Sequence, residues 1–303
     1  MSQLASASST SEELKRWPRL DKRRLLHIVY RVVDLEKTMD FYVKCLGMTL
    51  LRRRDCPDEK YTNAFLGYGA EDSHCVIELT LNYGWDKYQI GTGFGHIGIA
   101  VPNVQKVLDL IKSKGGKVAA PVKVGTVVHA FVEDPTGYKF KLIQRAQTQE
   151  PFCQVSLRVG DIDRTILFYQ DAYGMKLFTR KDNPAQKKTY AYMGYDESEM
   201  RTTLLEFEYS YGVEEYDLGT AFAQIAIGTN DVYKTSAAAQ QAGAKIVREA
   251  GPLPGLNTKI VSCLDPDGWK TVFVDNRDFE KELEPAAYSC RVTAMPNLKP
   301  LKG

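Results

Sequence analysis

The 303-residue chain has little that would tie it to a polymer or a surface. Its formal charge is only +2, from 40 basic and 38 acidic residues, which argues against nucleic acid and an anionic membrane as partners. No apolar run approaches the roughly 20 residues needed to span a bilayer. The six cysteines show no Cys-x-x-Cys spacing and follow no secretory hydrophobic region, so free thiols in a reducing compartment are expected. Residues 1–20 are Ser-rich but carry Glu12 and Glu13. That is short and acidic for an organelle transit peptide, and the cytosol is the expected compartment. The one basic run, Arg52-Arg53-Arg54, reads as a solvated strand end.

What the chain does have is itself twice. Arg31-Val32-Val33-Asp34, Phe41-Tyr42 and Gly47-Met48 recur as Arg158-Val159-Gly160-Asp161, Phe168-Tyr169 and Gly174-Met175, at an offset of 127 positions. The length agrees with about two domains. The copies run over 24–147 and 151–280, with an N-terminal extension at 1–23 and a loose tail at 285–303.

Each copy divides into two units that open with a strand, pass through a helix and close with further strands. In the first unit His27 to Val32 is apolar and β-rich, and Asp34 is placed to cap a helix. Leu35, Met39, Tyr42 and Leu46 then follow at helical spacing, and Gly47 stops the helix. Ile162, Ile166, Tyr169 and Tyr173 repeat the pattern before Gly174. The second and fourth units start at Gly95-His96-Ile97 and Ala223-Gln224-Ile225, with helices expected over 104–113 and 232–242. Four strand-helix-strands units make an α+β fold rather than an alternating βα fold.

Residue types able to hold a divalent metal hang on this repeat. His27, Glu78 and His96 in the first copy match Gln154, Glu206 and Gln224 in the second. A catalytic metal needs a few nitrogen and oxygen donors on rigid elements, with positions left open for substrate. Duplication alone also preserves spacing, and a lone histidine would read as a buried, hydrogen-bonded residue and the carboxylates as sheet-face groups, but the whole set on motif-bearing strands favours a metal. Where a fourth ligand would follow, the copies offer Lys141 and Val272.

The motifs His27-Ile28-Val29-Tyr30-Arg31-Val32, Lys60-Tyr61-Thr62-Asn63-Ala64-Phe65-Leu66-Gly67, Glu78-Leu79-Thr80, Gly93-Phe94-Gly95-His96 and Gly251-Pro252-Leu253-Pro254-Gly255-Leu256-Asn257-Thr258-Lys259 carry a resemblance. With them the chain resembles glyoxalase I, the lactoylglutathione lyase of the vicinal oxygen chelate superfamily, in its fused plant form. The resemblance implies four βαβββ modules, pairing first with fourth and second with third into two vicinal oxygen chelate domains. One cleft would gather His27, Glu78, Gln224 and Val272 and be degenerate. The other would gather His96, Lys141, Gln154 and Glu206. It implies zinc or nickel, and the hemithioacetal of methylglyoxal and glutathione as substrate.

The chain departs from that family in the cleft that should be active. The family's strand Tyr-x-Phe-Glu-Leu-Ile reads here Tyr138-Lys139-Phe140-Lys141-Leu142-Ile143, so the Glu that is ligand and base has become Lys141. The glutathione-contacting Asn survives as Asn82 but has become Ser210 in the second copy. The copy offset grows from 128 at His96 and Gln224 to 131 at Asp134 and Asp265, so three residues are missing from the first copy's glutathione loop. His129 replaces an apolar residue nearby. Lys141 is either decay of the site, a neutral amine acting as base in place of the carboxylate, or a charged one that stabilises an enolate, with His129 as a second candidate base. Arg158, Ser210, Lys123, Asn82 and Arg31 are the candidate substrate contacts.

The expectation is a monomeric, metal-assisted isomerase that enolises an α-hydroxycarbonyl substrate without glutathione. A cyclic α-hydroxyketone is the favoured substrate, as in the specialised plant relatives that aromatise terpenoids. A conventional lactoylglutathione lyase and a non-catalytic binding protein are the alternatives.

Overall fold

The computed structural model describes residues 10–146, 148–254 and 257–284. Helix α1 (Ser11–Leu20) precedes the first module, which is β1 (Leu25–Arg31), α2 (Leu35–Lys44), β2 (Thr49–Cys56), β3 (Tyr61–Gly67) and β4 (Val76–Asn82). The second is β5 (Phe94–Val101), α3 (Val104–Ser113), β6 (Val122–Val124), β7 (Val127–Glu133) and β8 (Lys139–Gln144). The third is β9 (Phe152–Arg158), α4 (Ile162–Asp171), β10 (Lys176–Asn183), β11 (Lys188–Gly194) and β12 (Leu204–Ser210). The fourth is β13 (Phe222–Thr229), α5 (Val232–Gln241), β14 (Lys245–Pro252), β15 (Lys259–Leu264) and β16 (Lys270–Asp275), followed by α6 (Asn276–Glu282).

The local signals explain these elements. Asp34 accepts from the Lys37 amide at 2.9 Å, and Asp161 caps α4 in the same way. Leu35, Thr38, Met39 and Tyr42 are the buried face of α2. Gly47 then turns the chain at φ +74°, a conformation that suits glycine.

Two eight-stranded sheets result, ordered β14-β15-β16-β13-β1-β4-β3-β2 and β10-β11-β12-β9-β5-β8-β7-β6. Within a module the first and last strands run parallel, which requires the intervening helix as crossover. Between modules the first strands pair antiparallel, β1 with β13 and β5 with β9. The first module therefore shares a sheet with the fourth, and the second with the third. The copies in the sequence and the sheets in space divide the chain differently. One large apolar cluster joins the two sheets and the helices between them.

Part of the N-terminal extension is structured. Thr10 and Glu13 form a capping box, and Trp17 Nε1 donates to Thr235 Oγ1 of α5 at 2.8 Å. Behind it Arg23 and Asp21 form a fully buried ion pair at 2.9 Å. The tail expected at 285–303 lies outside the described residues.

Candidate active site

The four central strands of each sheet contribute one inward position apiece. His96 on β5, Lys141 on β8, Gln154 on β9 and Glu206 on β12 line one cleft, of about 990 Å³. His27 on β1, Glu78 on β4, Gln224 on β13 and Val272 on β16 line a second, of about 390 Å³. The strand pairing thus assembles both groupings that the resemblance implies. Gly98 makes room for the larger one, because a Cβ there would lie 2.1 Å from Gln154 Cγ.

In the larger cleft Glu206 is the hub. Gln154 Nε2 donates to its Oε2 at 2.6 Å. His96 Nε2 lies 3.7 Å from Oε1, and Lys141 Nζ lies 3.9 Å from Oε2. Burial alone would raise the Glu206 pKa, but His96 and Lys141 outweigh it and hold the carboxyl below its ordinary range. Burial pushes His96 down to about 4 against the pull of Glu206, so its imidazole is neutral.

Two walls rise from this floor. Tyr190 and Tyr192 stand on β11, and Phe131, His129 and Val127 on β7, with Val122 and Val124 on β6 beyond them. His129 is thus in the cleft, two residues along the strand from Phe131, whose ring meets that of His96 at 5.4 Å. Burial, then Lys141, lowers the His129 pKa and keeps the ring neutral. The matching positions of the smaller cleft are Asn63, Phe65, Ser262 and Ile260, and its strand β2 adds Arg52 and Arg54.

Those arginines correct the reading of the basic run as a solvated strand end. Alternation along β2 leaves Arg53 partly exposed and turns Arg52 and Arg54 inward, each 8% exposed. Arg52 pairs with Glu71 at 2.6 Å and stacks over Phe65 at 3.7 Å. Helix α6 adds Phe279 and Glu282 to this cleft.

Of the expected substrate contacts, Arg158 lines the larger cleft, and Arg31 and Asn82 line the smaller. Lys123 does not line the larger cleft. It is exposed between Val122 and Val124, and alternation sends its side chain to the opposite face from theirs. Ser210 ends β12 opposite Lys188 and is not among the lining residues either. Sequence reading missed Tyr190, Tyr192 and Glu208. Aligning the copies position by position against Asn63, Phe65 and Thr80 would have shown all three as changes.

The larger cleft fits a divalent cation at three positions. His96 Nε2 is buried without a hydrogen-bond partner, Glu206 is ionised, and the Gln154 amide oxygen is free to turn inward. Among the described residues, three His, Cys, Asp or Glu side chains nowhere gather as a metal site, so a cation here relies on that amide. The smaller cleft fits less well. Val272 offers no donor, and burial raises Glu78 to about 7, with Arg54 and Arg52 pulling it down.

A sequence model of the Glyoxalase/Bleomycin resistance protein/Dioxygenase superfamily matches residues 24–142 and 152–273. A "probable lactoylglutathione lyase, chloroplastic" of Arabidopsis thaliana is 62% identical over 283 residues, covering 92% of this chain and 81% of that one. A lactoylglutathione lyase of Oryza sativa subsp. japonica is 56% identical over 288 residues, covering 92% and 99%. The crystal structure of glyoxalase I from Zea mays superposes with a TM-score of 0.86 at 58% identity, over 88% of this chain and 98% of that one.

Proposed function

The chain belongs to the glyoxalase superfamily and, within it, to two-domain glyoxalase I, and from that premise we propose that its larger cleft is a glutathione-independent isomerase site for a cyclic α-hydroxyketone. The observation that carries this reading is Lys141. It stands on the cleft floor beside an otherwise complete trio of His96, Gln154 and Glu206. Three donors kept together, while the fourth floor position, Ser210 and the neighbouring loop all differ from the family pattern, favour altered chemistry over decay.

The glyoxalase I family is metal-dependent. His96, Gln154 and Glu206 would hold a divalent cation, zinc or nickel, which would supply Lewis-acid polarisation of the substrate. The remaining chemistry belongs to the side chains. Neutral His129 takes the proton from the carbon bearing the hydroxyl and returns it to the neighbouring carbon, while the Lys141 ammonium stabilises the enolate between the two transfers. Carbonyl and hydroxyl exchange places, one carbon being oxidised and the other reduced, so no external oxidant is needed. In a fused ring, loss of the hydroxyl with a ring proton as water then leaves an aromatic phenol.

The walls support such a substrate. Tyr190, Tyr192 and Phe131 suit a flat ring, and the valines of β6 and β7 offer apolar surface at the mouth. The missing residues of the first copy's loop leave a tight hairpin, β6–β7, turning at Gly125 with φ +62°. Both sheets are completed within one chain, which supports a monomer. The acidic residues Glu12 and Glu13, in the first turn of α1, support the cytosol. No helix among the described residues is long and apolar enough to cross a membrane.

A second reading is a lactoylglutathione lyase working from the smaller cleft through His27, Glu78 and Gln224. Asn82 and the cations Arg31, Arg248 and Lys270 lining that cleft favour it. Val272 opposes it.

The test is turnover of metal-loaded protein in heavy water. One sample receives an α-hydroxytetralone, the other the methylglyoxal–glutathione hemithioacetal. Deuterium incorporation and naphthol release in the first, reduced at least a hundredfold in Lys141→Ala, are expected. Turnover of the hemithioacetal alone, abolished by Glu78→Gln, would replace this reading with the second.

A further inference from the structure

We infer that Glu208 is the specificity-determining residue that closes the larger cleft to anionic substrates, by occupying the arginine that would otherwise receive a substrate carboxylate. The inference deepens the proposed function and rests on its reading of the larger cleft as independent of glutathione.

The two clefts supply the comparison. Arg158 ends β9 as Arg31 ends β1, and each lines its own cleft. Glu208 holds the position that Thr80 holds in the other sheet, and Lys188 that of Tyr61. Arg158 Nε donates to Glu208 Oε1 at 3.1 Å, and Lys188 Nζ donates to the same oxygen at 2.7 Å. Glu208 is 7% exposed, so this is a built contact and not a passing surface pair. Arg31 has no carboxylate partner among the described residues. Its Nη1 donates to the Thr220 carbonyl at 2.7 Å, and the rest of the guanidinium is left for a ligand.

The consequence for binding follows from charge. A carboxylate entering at Arg158 must displace Glu208 and then lie beside it in a partly dehydrated cleft. Like charges at such a distance repel, and the displaced Glu208 loses its partners. A neutral ketone meets no such penalty. Exclusion here is the repulsive half of specificity, with the apolar walls as the attractive half.

The experiment titrates S-hexylglutathione, an anionic tripeptide, into metal-loaded protein by calorimetry. All proteins carry Arg31→Ala so that the smaller cleft contributes nothing. Glu208→Thr, which installs the residue of the other cleft, should bind at least tenfold more tightly than the Arg31→Ala parent. Glu208→Gln, which keeps the side chain's shape, should fall between and carries the test if the threonine variant does not fold. Adding Arg158→Ala to Glu208→Thr should abolish the gain. No gain in either Glu208 variant, or a gain that survives Arg158→Ala, overturns the inference. The readout is binding, so it stands apart from the proposed reaction. If the hydroxytetralone is never turned over, that reaction falls while the titration still decides the role of Glu208.

Discussion

The hydroxyl of Tyr42 donates to Oδ2 of Asp134 at 2.7 Å, although the two residues are 92 positions apart. Tyr169 and Asp265 repeat the contact at 2.9 Å over 96 positions. In each case the other carboxylate oxygen accepts backbone amides of the turn that follows, Thr136 and Tyr138 in one and Asp267 and Trp269 in the other. The aspartate therefore fastens a helix packed on one sheet to a turn of the other. Removing one partner of such a bond leaves a buried oxygen unsatisfied, which costs roughly 1–3 kcal/mol. Tyr169→Phe is expected to lose about that much in urea unfolding, and Tyr42→Phe a similar amount. The two contacts share no residue, so the double variant should show the sum. A loss under about 0.5 kcal/mol in Tyr169→Phe would remove the stitch from the account of stability.

The floor of the larger cleft should show in pH dependence. His96 lies at about 4 in the folded protein, against an ordinary 6.5. A depressed histidine contributes stability that is present above its unfolded pKa and lost as pH falls towards the folded one. The window is therefore pH 6.5 down to about 4. A shift of this size corresponds to about 3 kcal/mol. In metal-free protein, wild type should lose up to that much relative to His96→Gln between pH 7 and 4. A difference that stays constant with pH would mean that His96 is not held neutral by its surroundings.

The valines at the mouth are testable through substrate size. Val124 is 56% exposed and lines the larger cleft. Covering a valine contributes about 1.5–3 kcal/mol. Val124→Glu should raise KM for an α-hydroxytetralone more than tenfold with kcat held within about twofold, and leave KM for a short acyclic α-hydroxyketone unchanged. Equal effects on both substrates would place Val124 outside the binding surface.

The repeat made much of this molecule legible. Helix α3 runs over 104–113 as the sequence implies, because Asn103 caps it and its apolar face is regular. The pairing of modules entered through the resemblance, since periodicity within a strand does not name its neighbour. The trio His96, Gln154 and Glu206 was legible as residue types on first and last strands. Lys123 misled because β6 has only three residues, too few for its alternation to show which side faces the cleft. Arg52 and Arg54 misled for the opposite reason. A run of like charges reads as solvated, and only the tertiary partners Glu71 and Glu282 let two of the three turn inward. Helix α1 was not anticipated, since its docking depends on Thr235, far along the chain.

The shortened loop joins β6 to the rest of its sheet at the outermost position. An open sheet has two free margins, and a length change at a margin moves no strand inside it. The four floor strands keep their register whatever happens to the β6–β7 hairpin. Such a chain can change what it admits without moving the strands that carry its floor residues, so even a substitution such as Lys141 is presented from an unmoved frame.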